Sequence, residues 1–305
     1  MGKRARAMLL AGLLLAGACS TGSGDDSVVG SRGTTGTTSA AGGSPTETAA
    51  GATSTVPAGD PHTTASVGDP SNGSTSTPAP GAGPGPTGGS PPIPLVPVGQ
   101  LAPYLLRSGN GDRIVVELRA QSGAEPTAAT MDHLVRLLRD ASGKEVLVDG
   151  PDAIGGSGEA WTAGSLSALA DRSAQLPQGG RQVVLRLLFL HGTFEGDSGV
   201  LGVAVRGDVA ALFSDQVAAA AGLLVAPAVV EDAVSVHELG HLLGLVDLVL
   251  GTGRGDPEHP GHSRNRRSVM YWAVESDAIS QLLGGGIPNE FDTEDRADLA
   301  TIRRG

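Results

Sequence analysis

The stretch "HELGHLLGLVD", residues 237–247, decides how this chain is read. His237 and His241 stand four apart. On a helix that spacing stacks their side chains on one face, about 6 Å apart. Two imidazoles so placed have the bite that a tetrahedral ion such as zinc requires. Glu238 projects about 100° round from His237, off that pair but suited to a water held on the ion, which makes it a base rather than a ligand. Gly244 follows three residues after His241; a glycine there can take the left-handed conformation that ends a helix and turns the chain. The turn would bring Asp247 back toward the two histidines, and a carboxylate is a competent zinc ligand. A loop further on, "GDPEHPGHSRN" (255–265), offers His259 and His262 as alternative third ligands.

Working outward, "RRSVMYW" (266–272) follows the loop, and "FDTEDRADLATI" (291–302) lies near the C-terminus. Together with HExxHxxG and an aspartate three residues on, these resemble the metzincin clan of zinc metallopeptidases, and "SVMY" resembles its matrixin branch. The resemblance implies a zincin domain of α/β (α+β) class. It would have a mixed, mostly parallel sheet and an active-site helix. It implies Zn2+ held by His237, His241 and a third ligand, Asp247 standing where the clan has His or, less often, Asp. Glu238 would be the general base of peptide-bond hydrolysis. Met270 would form a Met-turn floor beneath the ion with Tyr271 close by, and Asp292 would cap the last helix above Leu299 and Ile302. Substrate would lie extended along an edge strand, for which 199–206 is the candidate.

The text upstream fits such a domain. "RIVVELRA" (113–120) reads as a strand, and Met131, Leu134, Val135 and Leu138 recur at helical spacing with Gly143 just past the end. "EVLVDG" (145–150) reads as a second strand, parallel to the first. A second helix is expected over 163–174 with Leu166, Leu169 and Ala170 on one face. "RQVVLRLLFLHG" (181–192) is a continuous apolar run, hence a central strand buried on both faces. Strands over 198–208 and at "VAALFSD" precede Pro227, which opens the motif helix. Of the remaining histidines, His62 falls in the linker, His133 is expected exposed on its helix, and His191 structural at a strand end.

The first nineteen residues read as a targeting segment. Lys3, Arg4 and Arg6 precede a short apolar run and small residues before Cys19, the single cysteine among 305 residues. The sequence "LAGAC" resembles a bacterial lipobox, which implies lipidation at Cys19. Residues 20–98 are Gly, Ser, Thr, Ala and Pro with little to bury, a disordered linker. Such a chain has a mean span of about 50 Å. Residues 99–305 remain for the metallopeptidase domain. Net charge is −11 with no basic stripe, which argues against nucleic acid. The expected protein is an exported monomer, anchored to the cell membrane through Cys19 or extracellular, acting on protein or peptide. The alternative is a catalytically inactive zincin-fold lipoprotein that binds at the cell surface.

Overall fold

The computed structural model describes residues 95–305 except Ser157 and Leu224. The targeting segment, Cys19, His62 and the linker up to residue 94 lie outside the described residues. The packed chain begins inside the stretch read as linker. Val96 packs against the core, and its carbonyl accepts a hydrogen bond from the Gly207 N–H at 2.8 Å.

In chain order the elements are α1 (Ala102–Leu106), β1 (Arg113–Ala120), α2 (Ala128–Ser142), β2 (Glu145–Ala153), β3 (Ala160–Trp161) and α3 (Ala163–Ser173). Then come β4 (Gln182–Leu190), β5 (Thr193–Phe194), β6 (Gly202–Arg206), β7 (Val209–Phe213), α4 (Ser214–Ala221), α5 (Pro227–Leu242) and α6 (Thr293–Arg304). Two 3-10 segments, Trp272–Glu275 and Asp277–Gly285, separate α5 from α6. The main sheet has the order β2-β1-β4-β7-β6. Its first four strands are parallel, and β6 runs antiparallel to β7 along one edge. β3 and β5 form a small parallel pair of their own. The fold is therefore mixed α/β with a mostly parallel sheet, as the order of periodic segments predicts.

Alternation along the central strands divides two cores. On one face Ile114, Val116 and Leu118 join Val183, Leu185 and Phe189 beneath α1, α2, α5 and α6. On the other face Leu188, Leu190, Ala211 and Phe213 meet Leu166, Leu169 and Ala170 of α3. That second face is not wholly apolar. Arg186, in the middle of the apolar run, is buried with its Nε 2.9 Å from Glu117 and its Nη1 2.6 Å from Asp208. Glu117 also accepts from the backbone N–H groups of Gln175 and Leu176, both at 2.7 Å. Charges buried there are tolerable because each is paired and hydrogen-bonded.

The helix boundaries follow local chemistry. Thr127 caps α2 by accepting from the Thr130 N–H, and Gly143 ends it in the left-handed conformation at φ 69°. Asp292 caps α6, accepting from the N–H groups of Glu294 and Asp295, and Asp295 reaches back to the Asp292 N–H. Leu299 and Ile302 are buried as expected. His133 departs from expectation. It is half-buried, its Nδ1 2.7 Å from Asp232 and its Nε2 3.3 Å from Glu290, so it ties α2 to α5 and to the chain entering α6. The helix period alone could not show that two acidic groups from other elements converge on it.

Candidate metal centre

Helix α5 begins with Pro227 at its first turn, where no N–H is needed. Every residue from Ala233 to Leu242 is buried, so this helix runs through the core rather than along it. His237 and His241 sit on its last two turns, with their Nε2 atoms 3.0 Å apart. His237 Nδ1 lies 2.6 Å from the Val269 carbonyl oxygen. That bond places the ring proton on Nδ1 and leaves the Nε2 lone pair facing inward.

The third imidazole is His262. Its ring centroid lies 5.2 Å from that of His237 and 5.0 Å from that of His241. It arrives on a tight turn, His259-Pro260-Gly261-His262, closed by a bond from the His262 N–H to the His259 carbonyl at 3.1 Å. Gly261 has φ 89°, and proline followed by a positive-φ glycine is the signature of a type II turn. Met270, fully buried, is tied through its backbone to the residue beside His262. Its carbonyl accepts from the Ser263 N–H at 2.8 Å, next to His262. The "SVMY" segment thus holds two of the three histidines, His237 through Val269 and His262 through its neighbour. Gly240 lets it approach, since a Cβ on Gly240 would collide with the Met270 sulfur.

Asp247 does not join the histidines, and the expectation of a third ligand there is corrected. Its backbone is left-handed at φ 66°, following Val246 at φ 51°. Its Oδ1 accepts from the Thr252 N–H and hydroxyl, both at 2.6 Å, and from the Gly253 N–H at 3.1 Å. Its Oδ2 accepts from the Gly255 N–H at 2.9 Å. The carboxylate is saturated by its own loop. A glycine turn alone cannot direct a side chain as short as aspartate to the ion when backbone donors lie closer. His259 stays outside too: its ring stacks on Trp272 at 4.4 Å, and its Nδ1 bonds Asp256 at 2.9 Å.

A residue that the motif does not announce completes the cluster. Glu275, five residues after Met270, has Oε1 2.8 Å from His262 Nε2 and Oε2 3.4 Å from His237 Nε2 and 3.8 Å from His241 Nε2. One donor atom from each of His237, His241, His262 and Glu275 lies within 4.8 Å of the others. Both ring nitrogens of His262 are buried without an aligned hydrogen-bond partner among the described residues. Three imidazoles and a carboxylate at this separation fit a zinc ion.

Electrostatics differ among the members: burial opposes a charge on His262, but the Glu275 carboxylate outweighs it and raises His262, favouring a proton that an ion would have to displace. Burial pushes His241 down to about 4, so its ring is neutral and free to donate a lone pair at neutral pH. Burial works against an ionised Glu275, yet the charge of His262 and the nearness of His237 and His241 outweigh it, and its carboxyl lies well below the usual range. Glu238 is the opposite case. Burial pushes its carboxyl well above the usual range, the Glu275 carboxylate adds to this, and the Ala204 backbone offsets part of it. Both Glu238 oxygens are buried without an aligned partner. The edge strand passes close by, since a Cβ on Gly202 would lie 2.9 Å from Glu238 Oε1.

No family model matches the chain, and no curated protein matches it. Among solved structures it is similar to the archaemetzincin of Archaeoglobus fulgidus, at 18% identity and a TM-score of 0.35 over 61% of this chain and 98% of that one. The archaemetzincin of Methanopyrus kandleri gives 19% identity and a TM-score of 0.41, over 63% and 96%. A zinc-dependent peptidase of Methanocorpusculum labreanum gives 15% and 0.40, over 60% and 99%. At such values residue roles are not carried across, and the centre stands on its own geometry.

Proposed function

We propose that this chain is a zinc-dependent endopeptidase with a matrixin-like Met-turn. The observation that carries the reading is the convergence of His237, His241 and His262 through their Nε2 atoms, next to Glu238, which is buried on the helix of the first two without an aligned hydrogen bond. These histidines would hold the ion, which when bound supplies a Lewis acid for a water and a peptide carbonyl. The chain's own residues do the rest. Glu238, with its raised proton affinity, takes a proton from the attacking water and delivers it to the leaving amine. Val269 orients His237, and the turn at Pro260-Gly261 presents His262. The β6 edge, which pairs only with β7 among the described strands, offers backbone donors and acceptors to an extended peptide beside Glu238. Export and anchoring through Cys19 belong to the same reading and rest on the sequence.

The test is cleavage of a mixed peptide library with and without chelator, for wild type and Glu238→Gln. The expected outcome is chelator-sensitive cleavage that falls by about 10²–10⁴-fold or more in the variant, with zinc content unchanged. Zinc loss in Glu238→Gln equal to its activity loss would overturn the assigned role. Zinc binding without cleavage of any peptide would favour the inactive surface-binding protein.

A further inference from the structure

Histidine–carboxylate pairs occur elsewhere in this chain, and they set a standard for Glu275. His133 with Asp232, His191 with Asp215 and His259 with Asp256 each make an aligned bond of 2.7–2.9 Å through Nδ1. Glu275 does something else. It faces three Nε2 atoms at 2.8, 3.4 and 3.8 Å and makes an aligned hydrogen bond to none of them. Its two oxygens divide among the three rings, Oε1 nearest His262 and Oε2 nearest His237 and His241. Its backbone is also held in place. The Leu201 N–H donates to the Glu275 carbonyl at 2.8 Å, the Asp277 N–H donates to the Gly199 carbonyl at 2.8 Å, and Val200 bridges to Ser276. The segment that delivers Glu275 is therefore fastened to residues 199–201, directly ahead of the β6 edge and Gly202.

We infer that Glu275 is a fourth protein ligand that closes the metal site in the resting protein and must withdraw before water or substrate reaches the ion. This rests on the metallopeptidase reading and deepens it. Structural zinc sites have four protein donors, whereas catalytic ones keep a position open. A three-histidine set with a carboxylate already inside it belongs to the first kind until that carboxylate moves. About a quarter of the Glu275 side chain is exposed, so it is not locked in place by packing on every side. Because the same segment is fastened to residues 199–201, a peptide pairing along β6 would engage the strand that holds the closing residue. Opening would then be coupled to substrate.

The experiment uses the cobalt(II)-loaded protein and its visible absorption, with acetohydroxamate as an added ligand. Wild type is expected to show a four-coordinate spectrum that is insensitive to the hydroxamate. Glu275→Gln and Glu275→Asp, the second retaining the charge but falling short in reach, are expected to respond at hydroxamate concentrations at least about tenfold lower. Zinc affinity measured by chelator competition should fall at least about tenfold in both. Circular dichroism of each metal-free variant checks the fold. A wild-type cobalt spectrum that responds readily to hydroxamate overturns the inference without reference to any variant. So do unchanged spectra and affinity in both variants, and in either case the metallopeptidase reading survives. A wild type that binds neither metal overturns both.

Discussion

Asp247 shows how one residue can serve a metal centre without touching the ion. Four hydrogen bonds from Thr252, Gly253 and Gly255 converge on its carboxylate. They lower its pKa against the effect of burial. Aspartate also tolerates the left-handed backbone at this position better than most residues. Gly255 bridges to Ser263, the neighbour of His262, so the loop that Asp247 gathers is the one that delivers the third imidazole. Asp247→Ala should therefore weaken zinc binding by about 10–100-fold, the usual range when a supporting partner is lost. His262→Ala should abolish it under the same conditions. Asp247→His should not restore affinity, because an imidazole cannot accept from three backbone N–H groups at once. Zinc titration of the three variants measures this, and full recovery in Asp247→His would return Asp247 to the ligand set.

Among the elements, α5 and the "SVMY" segment, residues 268–271, behave as one unit. Val269 holds His237, Met270 holds the chain beside His262, and Ser268 bonds the buried Asp295 at the start of α6 at 3.3 Å. Asp295 also accepts from Arg254, in the loop between Asp247 and His259, at 3.2 Å. The last helix thus supports the centre from behind, and Asp295, which completes the capping box begun by Asp292, serves a second purpose. Gly240 is the tightest point, where the Met270 sulfur meets the helix backbone. Alanine there should favour the isolated helix by about 1 kcal/mol. The overlap with Met270 should outweigh that gain, since overpacking a filled core costs about 1–3 kcal/mol. Gly240→Ala is expected to melt at lower temperature than wild type. A higher melting temperature would show that Met270 has room to move.

On the scale of the whole molecule, the sheet places the histidine cluster beside one edge. Parallel strands β1, β4 and β7 are covered on both faces, β2 is largely exposed at one edge, and the antiparallel β6 forms the other edge, beside α5. The compact unit occupies the C-terminal two-thirds of the chain, behind a long tract of Gly, Ser, Thr and Pro. If Cys19 is the lipidated residue, that tract sets the reach of the domain from a membrane. Cys19→Ala should then move the protein from the membrane fraction to the medium or leave it unprocessed. Unchanged membrane retention would remove the anchor while leaving the metal centre untouched.

The sequence by itself determined whatever depends on short-range repetition. The helix period set Met131, Leu134 and Leu138 inside α2, continuous apolarity made β4 central, and the capping pattern at Asp292 marked the start of α6. The spacing of His237 and His241 placed both rings on one helix face for the same reason, since i and i+4 are neighbours on any helix. Only the tertiary structure decided among Asp247, His259 and His262. That choice depends on which loop donors capture the Asp247 carboxylate, on Trp272 stacking over His259, and on the Pro-Gly turn that aims His262. The Pro-Gly pair between the two histidines was a legible signal for that turn, though not for its direction. Glu275 had no local signature, because a carboxylate five residues past Met270 enters the centre only once its backbone pairs with residues 199–201, some seventy-five positions earlier. Pairings that distant in sequence follow from the packing of the whole chain, which no local pattern encodes.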